Sequence, residues 1–261
     1  MTLADDLALL ALDPAKRRIR AAGRLPFALR AAELAELALA GRIELTRRIE
    51  VRDSARMADR RLDNTLQALA RTTPAPLLDT WLRTTPRGLA GEYVSRLEDR
   101  RTVKVRRVRE RGGRTRTDIL AVDRERRDAV LARLDAAVRS RQPAEADRCL
   151  AVLVHACGLG AHLYGRLTGR AARRRLAALA EPATAEAIGT AAAEEDLALV
   201  AAVRVDTTRL DDTVFDQLRD IYRDLAHSTH GSFLAADVSG GLHHHDGYHD
   251  TGAHGGGHGG Y

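Results

Sequence analysis

Apolar residues recur along most of the chain at every third or fourth position, which is the spacing of one face of an α-helix. The first predicted helix starts with a Thr2-x-x-Asp5 capping box and ends before Pro14, and the second runs from Pro26 to Gly41. Further helices are predicted near 59–71, 75–84 and 88–99, after Asp123, and near 147–164, 191–204 and 212–226. The pattern therefore predicts a mainly α-helical protein.

Two segments instead alternate apolar and polar residues, which is typical of β-strands. The first is "RIELTRRIEV", and the second is "TVKVRRVRERGGRTRTDILAVD", which turns at Gly112-Gly113. The segment 147–164 is apolar on most faces and so needs neighbours all round. We therefore expect a single helical-bundle domain around this central apolar helix, with two short β-hairpins.

The compact pattern stops near residue 205, and we expect residues 1–205 to form the domain. Residues 206–238 form a predicted C-terminal extension with one amphipathic helix. Residues 239–261 are a Gly/His-rich tail with little to bury, which predicts disorder. The tail histidines could bind Ni²⁺ or Zn²⁺ as any flexible His-rich segment can, but they predict no ordered metal site: His243, His244, His245, His249, His254 and His258.

The charge of the chain is more informative about its function than about its fold. Basic residues number 42 against 36 acidic residues, and all the basic residues except Lys16 and Lys104 are arginines. A net charge of +6 and a pI near 9.9 predict attraction to polyanions, either nucleic acid or an anionic membrane surface.

The N-terminus is acidic where a signal peptide would be positive, and the longest apolar run is too short and too interrupted for a membrane span. Cys149 and Cys157 match no metal or redox motif and read as reduced core residues. P-loop, G-x-S-x-G, G-x-G-x-x-G and HExxH motifs are missing from the sequence. We expect a cytoplasmic, non-enzymatic protein without a cofactor that touches membranes only from outside.

Several phrases, in this order, resemble the Golgi phosphoprotein 3 family in its bacterial, chiefly actinobacterial, branch. They are "LADDLALLALD", "ALRAAELAELALAGRIEL", "LDNTLQAL", "TWLRTTPRGLAGEYVSRLEDRRTVKV" and "CLAVLVHACGL", and the resemblance covers about residues 2–205. It implies a mostly helical single domain. It also implies binding of phosphatidylinositol 4-phosphate, which eukaryotic members bind at Golgi membranes while gripping the cytosolic tails of membrane enzymes.

The resemblance also implies candidate headgroup-binding residues. The family pocket uses an Arg near the start of the second helix, and Arg30 falls on that position. Its two later arginines fall on Arg87 and Ala90, so one of them is missing here. The Trp that the family places in the connector before the second helix has no counterpart, because Phe27 is the only aromatic residue of "RRIRAAGRLPF".

Arg30 has two readings on physical grounds. A helix start carries unsatisfied N–H groups and a partial positive charge, which disfavour a cation there unless an anion is shared. Together with the connector arginines, Arg30 could cradle a phosphate: Arg17, Arg18, Arg20 and Arg24. Alternatively, Arg30 pairs with Glu33, the acid at i+3 on its own helix.

The basic second hairpin has three readings: a solvated edge kept soluble by charge, a membrane contact, or a ribbon in a nucleic-acid groove. Nucleic acid is disfavoured because the ribbon has no aromatic stacking residue. We predict a peripheral protein on the cytoplasmic face of the membrane that binds anionic, phosphoinositide-type headgroups. The alternative is a cytosolic adaptor that uses the same basic face for proteins, without lipid specificity. The basic hairpins could also bind protein partners or mediate self-association.

Overall fold

The computed structural model describes residues 1–110, 115–165, 169–180, 217–218 and 220–221. This part of the chain is mainly helical, as predicted. Its helices are α1 Leu3–Ala11, α2 Leu25–Leu39, α3 Arg60–Arg71, α4 Leu78–Arg83, α5 Leu89–Asp99, α6 Arg124–Arg139, α7 Glu145–Ala156, α8 Gly160–Leu163 and α9 Arg170–Ala180. Its strands are β1 Leu12–Asp13, β2 Arg18–Ile19, β3 Ile43–Leu45, β4 Ile49–Val51, β5 Val103–Arg109 and β6 Thr115–Val122.

Among the elements in the described part of the chain, helix α1 is the most enclosed, since all nine of its residues are buried. The predicted capping box is confirmed: the Thr2 hydroxyl accepts from the Asp5 N–H, and the Asp5 carboxylate accepts from the Thr2 N–H. Helices α2, α5, α6 and α7 pack around α1. The N-terminal helix therefore shares the centre of the molecule with its neighbours.

The prediction of one continuous helix over 147–164 was wrong. Helix α7 ends at Ala156, and α8 starts only at Gly160. Between them, Gly158 adopts a φ of +79°, a left-handed conformation that glycine tolerates and that turns the chain out of the helix. Helix α7 is nevertheless well enclosed, because it packs against α1, α2, α6 and α9.

Both predicted pairs of strands are present and antiparallel, β3 with β4 and β5 with β6. The second pair is not short, since its strands have seven and eight residues. The turn predicted at Gly112-Gly113 lies outside the described residues. A third pair, β1 with β2, lies inside the basic connector, where Leu12 is paired with Ile19. The sequence did not predict this pair, because strands of two residues are too short to show an alternation of apolar and polar residues.

The helix predicted at 75–84 is shorter in the structure because its first residues pair with the first hairpin. The Ile49 N–H donates to the Pro76 carbonyl over 2.9 Å, and the Leu78 N–H donates to the Arg47 carbonyl over 3.1 Å. Residues 191–204, most of 212–226, and the tail lie outside the described residues. Residues 217–218 and 220–221 are helical.

Candidate functional site

The directions of α2 and α5 decide where the candidate arginines lie. The Tyr93 hydroxyl on α5 donates to Glu33 on α2 over 2.9 Å. One turn beyond Glu33 on α2, Glu36 lies within electrostatic reach of Asp5 and Asp59. Both of these acids accept hydrogen bonds from Arg96, which lies one turn beyond Tyr93 on α5. The two helices therefore run in the same direction. The turn before α5, which carries Arg87, lies at the end of the molecule where α2 begins.

The same end of the molecule receives the C-terminus of α7. The Arg24 Nη1 lies 3.5 Å from the position that a Cβ on Gly158 would occupy, just beyond that helix. A cation is favoured beside a helix C-terminus, which gives Arg24 a structural role as well. We call this surface the basic end and define it as the connector 14–24 together with Arg30 and Arg87.

The exposed basic side chains of the basic end are Lys16, Arg17, Arg18, Arg24 and Arg87. Arg20 differs from them because its guanidinium binds the Asp13 carboxylate through Nε, over 2.8 Å, and through Nη2. His162 of α8 lies beside the connector. Burial, followed by the positive charges of Arg20 and Arg18, lowers the pKa of His162.

Arg30 is recessed, and its side chain contacts α4 and an acid on its own helix. Its guanidinium carbon lies 4.4 Å from the centroid of the Trp81 ring on α4, within the range of a cation–π interaction. Its Nη1 donates to Glu33 Oε2 over 3.0 Å, and the side chain keeps 12% of its surface exposed. The i+3 pairing that the sequence offered as one reading is therefore present.

Although an acid that pairs with a helix arginine at i+3 is usually a surface residue, Glu33 is fully buried. Besides Arg30, three groups donate to its carboxylate: Arg61 Nε over 2.7 Å, the Thr65 hydroxyl over 3.1 Å and the Tyr93 hydroxyl over 2.9 Å. A buried carboxylate is tolerated only with such partners. Burial and the negative charge of Glu33 raise the pKa of Tyr93, so this hydroxyl stays a donor at neutral pH.

Two donors at this place have no acceptor among the described residues. They are Arg30 Nε and Trp81 Nε1, and both atoms are buried. Most buried polar groups in proteins are hydrogen-bonded, so two unpaired N–H groups on two stacked side chains are unusual. The Arg30–Trp81 pair is therefore less completely satisfied than the Glu33 carboxylate beside it.

The structure gathers Arg24, Arg30 and Arg87 at one end but gives them different neighbours. Arg24 and Arg30 are six residues apart, which separates them by about 120° around the α2 axis. Arg24 contacts the end of α7, whereas Arg30 contacts α4. Sequence reasoning missed Trp81 as a neighbour of Arg30. The two residues are far apart along the chain, and no local spacing connects them.

The fold and this surface define a class of protein: a mainly helical domain with peripheral hairpins and a basic end built around a stacked arginine. The sequence model of the Golgi phosphoprotein 3 family matches residues 3–197. That match covers most of the chain, and the chain therefore belongs to the Golgi phosphoprotein 3 family. No curated protein matches it. Among the described residues, no helix is both long enough and apolar enough to cross a membrane.

Proposed function

We propose that this protein is a non-enzymatic, peripheral membrane protein on the cytoplasmic face of the membrane. It binds anionic, phosphoinositide-type headgroups through the basic end, with Arg30 and Arg87 as the principal contacts. The observation that carries the proposal is the position of Arg30. It is held against Trp81 at an end of the molecule that also presents five exposed basic side chains.

The two groups of basic residues have different tasks in this proposal. The exposed side chains of the connector and Arg87 attract an anionic surface over a distance of about one Debye length, roughly 8–10 Å at physiological salt. Arg30 is recessed and partly neutralised by Glu33, so it adds little to this long-range attraction. Its contribution is a charge-assisted hydrogen bond from a fixed guanidinium to a headgroup phosphate.

Co-sedimentation of the full chain with vesicles of equal net charge tests the proposal. One set contains phosphatidylinositol 4-phosphate and the other contains only phosphatidylglycerol, and EDTA is present so that the tail histidines hold no metal. We expect preferential binding to the inositol lipid, and we expect Arg30→Ala and Arg87→Gln to weaken it. Arg101→Gln is the matched control, because Arg101 is exposed and follows the opposite end of α5.

Two results would count against lipid recognition. Equal binding to both vesicle sets would mean that the basic end acts through charge alone. Absence of binding to either set would favour the alternative function, an adaptor that uses the basic end for acidic protein segments. The pairing of Arg30 with Glu33 is the observation that keeps this alternative open, because it satisfies part of the guanidinium without any ligand.

A further inference from the structure

We propose that Trp81 is the positioning residue of the headgroup site: its ring holds the Arg30 guanidinium in the orientation that binds phosphate. The inference rests on the proposed function. It adds to that function a residue from α4, which lies outside both the connector and the arginine pattern. The guanidinium carbon of Arg30 lies 4.4 Å from the centroid of the ring.

Stacking suits this task because it uses the face of the guanidinium and leaves the N–H groups in its plane free to donate. A free arginine side chain has many rotamers, and a ligand that immobilises it must overcome that lost entropy. Trp81 restricts the side chain before the ligand arrives. The indole is also the aromatic group that attracts a cation most strongly.

Glu33 restrains the same guanidinium from a second direction. It accepts from Nη1, and its own position is held by Arg61, Thr65 and Tyr93. Arg30 Nε is buried. A phosphate arriving from solvent therefore contacts Arg30 through its Nη groups and not through the edge formed by Nε and Nη2.

The position of Trp81 is itself fixed by the chain on both sides. Before α4, backbone hydrogen bonds join residues 76–78 to the first hairpin. Within α4, Leu78 and Leu82 are buried in the core, and α4 packs against α2. After α4, the Thr84 hydroxyl donates to the Trp81 carbonyl over 3.0 Å. The ring is thus presented by a short but well-anchored helix.

Vesicle titration of Trp81 variants tests the inference. We expect Trp81→Leu to weaken binding to vesicles containing phosphatidylinositol 4-phosphate by about threefold to tenfold, the range that one cation–π interaction supports. Trp81→Phe keeps a ring face and should recover most of the affinity. Leu131→Ala, which shortens a partly buried side chain on α6, controls for a general loss of packing and should bind normally.

A double-mutant cycle separates positioning from simple destabilisation. If Trp81 acts through Arg30, then Trp81→Leu should cause no further loss of binding in an Arg30→Gln background. Trp81 is also the only tryptophan of the chain, so tryptophan fluorescence reports on the surroundings of this ring. We expect Arg30→Gln to shift the emission of the free protein, whereas Arg101→Gln should not.

The outcomes distinguish this inference from the proposed function. If the wild-type protein binds no anionic vesicles, the proposed function and this inference both fail. If the wild type binds and Trp81→Leu binds equally well, only the inference fails. It fails also if Trp81→Leu weakens binding to the same degree with and without Arg30, or if Arg30→Gln leaves the tryptophan emission unchanged.

Discussion

Two clusters of charged residues lie on neighbouring parts of the helical core, and they differ in how completely their arginines are paired. In the first, around Asp5, Arg96 donates to two acids through all three of its nitrogens: Nε to Asp5 over 2.7 Å, Nη1 to Asp59 over 3.1 Å, and Nη2 to both. Arg100 Nη1 adds a further bond to Asp5 over 2.5 Å. We call this set the Asp5 cluster.

The pKa of Asp5 reflects this complete pairing. Burial acts to raise the pKa, but the hydrogen bonds from Arg96 and from the Thr2 N–H outweigh it and lower the pKa below its usual value. In the second cluster, around Glu33, Arg30 donates through Nη1 but its Nε has no acceptor among the described residues. A fully paired arginine belongs to the core, whereas Arg30 has a buried Nε without an acceptor among the described residues and still keeps 12% of its side chain exposed.

The largest expected effect comes from opening the Asp5 cluster. Asp5→Ala leaves Arg96 and Arg100 without their buried partner, and breaking such a pair typically costs about 3–5 kcal/mol of the free energy of unfolding. Urea unfolding followed by circular dichroism measures this loss. Asp53→Ala is the control, because Asp53 pairs with Arg42 at the exposed surface and should cost less than about 1 kcal/mol. Similar losses in both variants would contradict the prediction.

The second prediction compares the two arginines directly. Arg96→Gln removes donors from two acids, and we expect a loss of about 2–4 kcal/mol. Arg30→Gln should cost about 1 kcal/mol or less, since Glu33 keeps Arg61, Thr65 and Tyr93. Vesicle binding should show the reverse order, with Arg30→Gln the weaker binder. A stability loss for Arg30→Gln equal to that of Arg96→Gln would make Arg30 a core residue like Arg96.

The helix boundaries show which features of the fold the local sequence pattern predicts. The starts of α1, α3 and α6 agree with the sequence because Thr2, Asp59 and Asp123 cap them through their own side chains. The shortened α4 and the β1–β2 pair depend on partners elsewhere in the chain, which no local pattern specifies. For the site, the family pattern indicated Arg30, and i+3 spacing indicated Glu33. The burial of Glu33 and the stacking of Trp81 arise only from packing.

The third prediction concerns Glu36, which lies between the two clusters. Burial, together with the negative charges of Asp59 and Asp5, raises the pKa of Glu36 to about 7, although the Leu3 N–H donates to it and acts in the opposite direction. Because the folded pKa lies above the unfolded one, the contribution of Glu36 to stability falls as pH rises from about 4.5 to about 7. The expected loss is about 1–3 kcal/mol.

Glu36→Gln should remove this dependence while keeping an acceptor for the Leu3 N–H. Unfolding free energies measured at several values between pH 5 and pH 8 should therefore fall less steeply for the variant than for the wild type. Glu50→Gln serves as the control, since Glu50 lies on the first hairpin and is not fully buried. A wild-type and a variant curve that run parallel through this range would show that Glu36 does not titrate there.

The smallest expected effect tests whether the helix cap and the Asp5 cluster act separately. Thr2→Ala removes the acceptor for the Asp5 N–H but leaves the Asp5 carboxylate with Arg96 and Arg100. The loss should be about 1 kcal/mol, the typical value for one N-cap side chain. Thr80→Ala, at an exposed position of α4, should cost less. A loss of unfolding free energy close to that of Asp5→Ala would contradict this separation. It would mean that the cap also positions the Asp5 carboxylate, because freeing the first turn of α1 would then move the carboxylate away from both arginines.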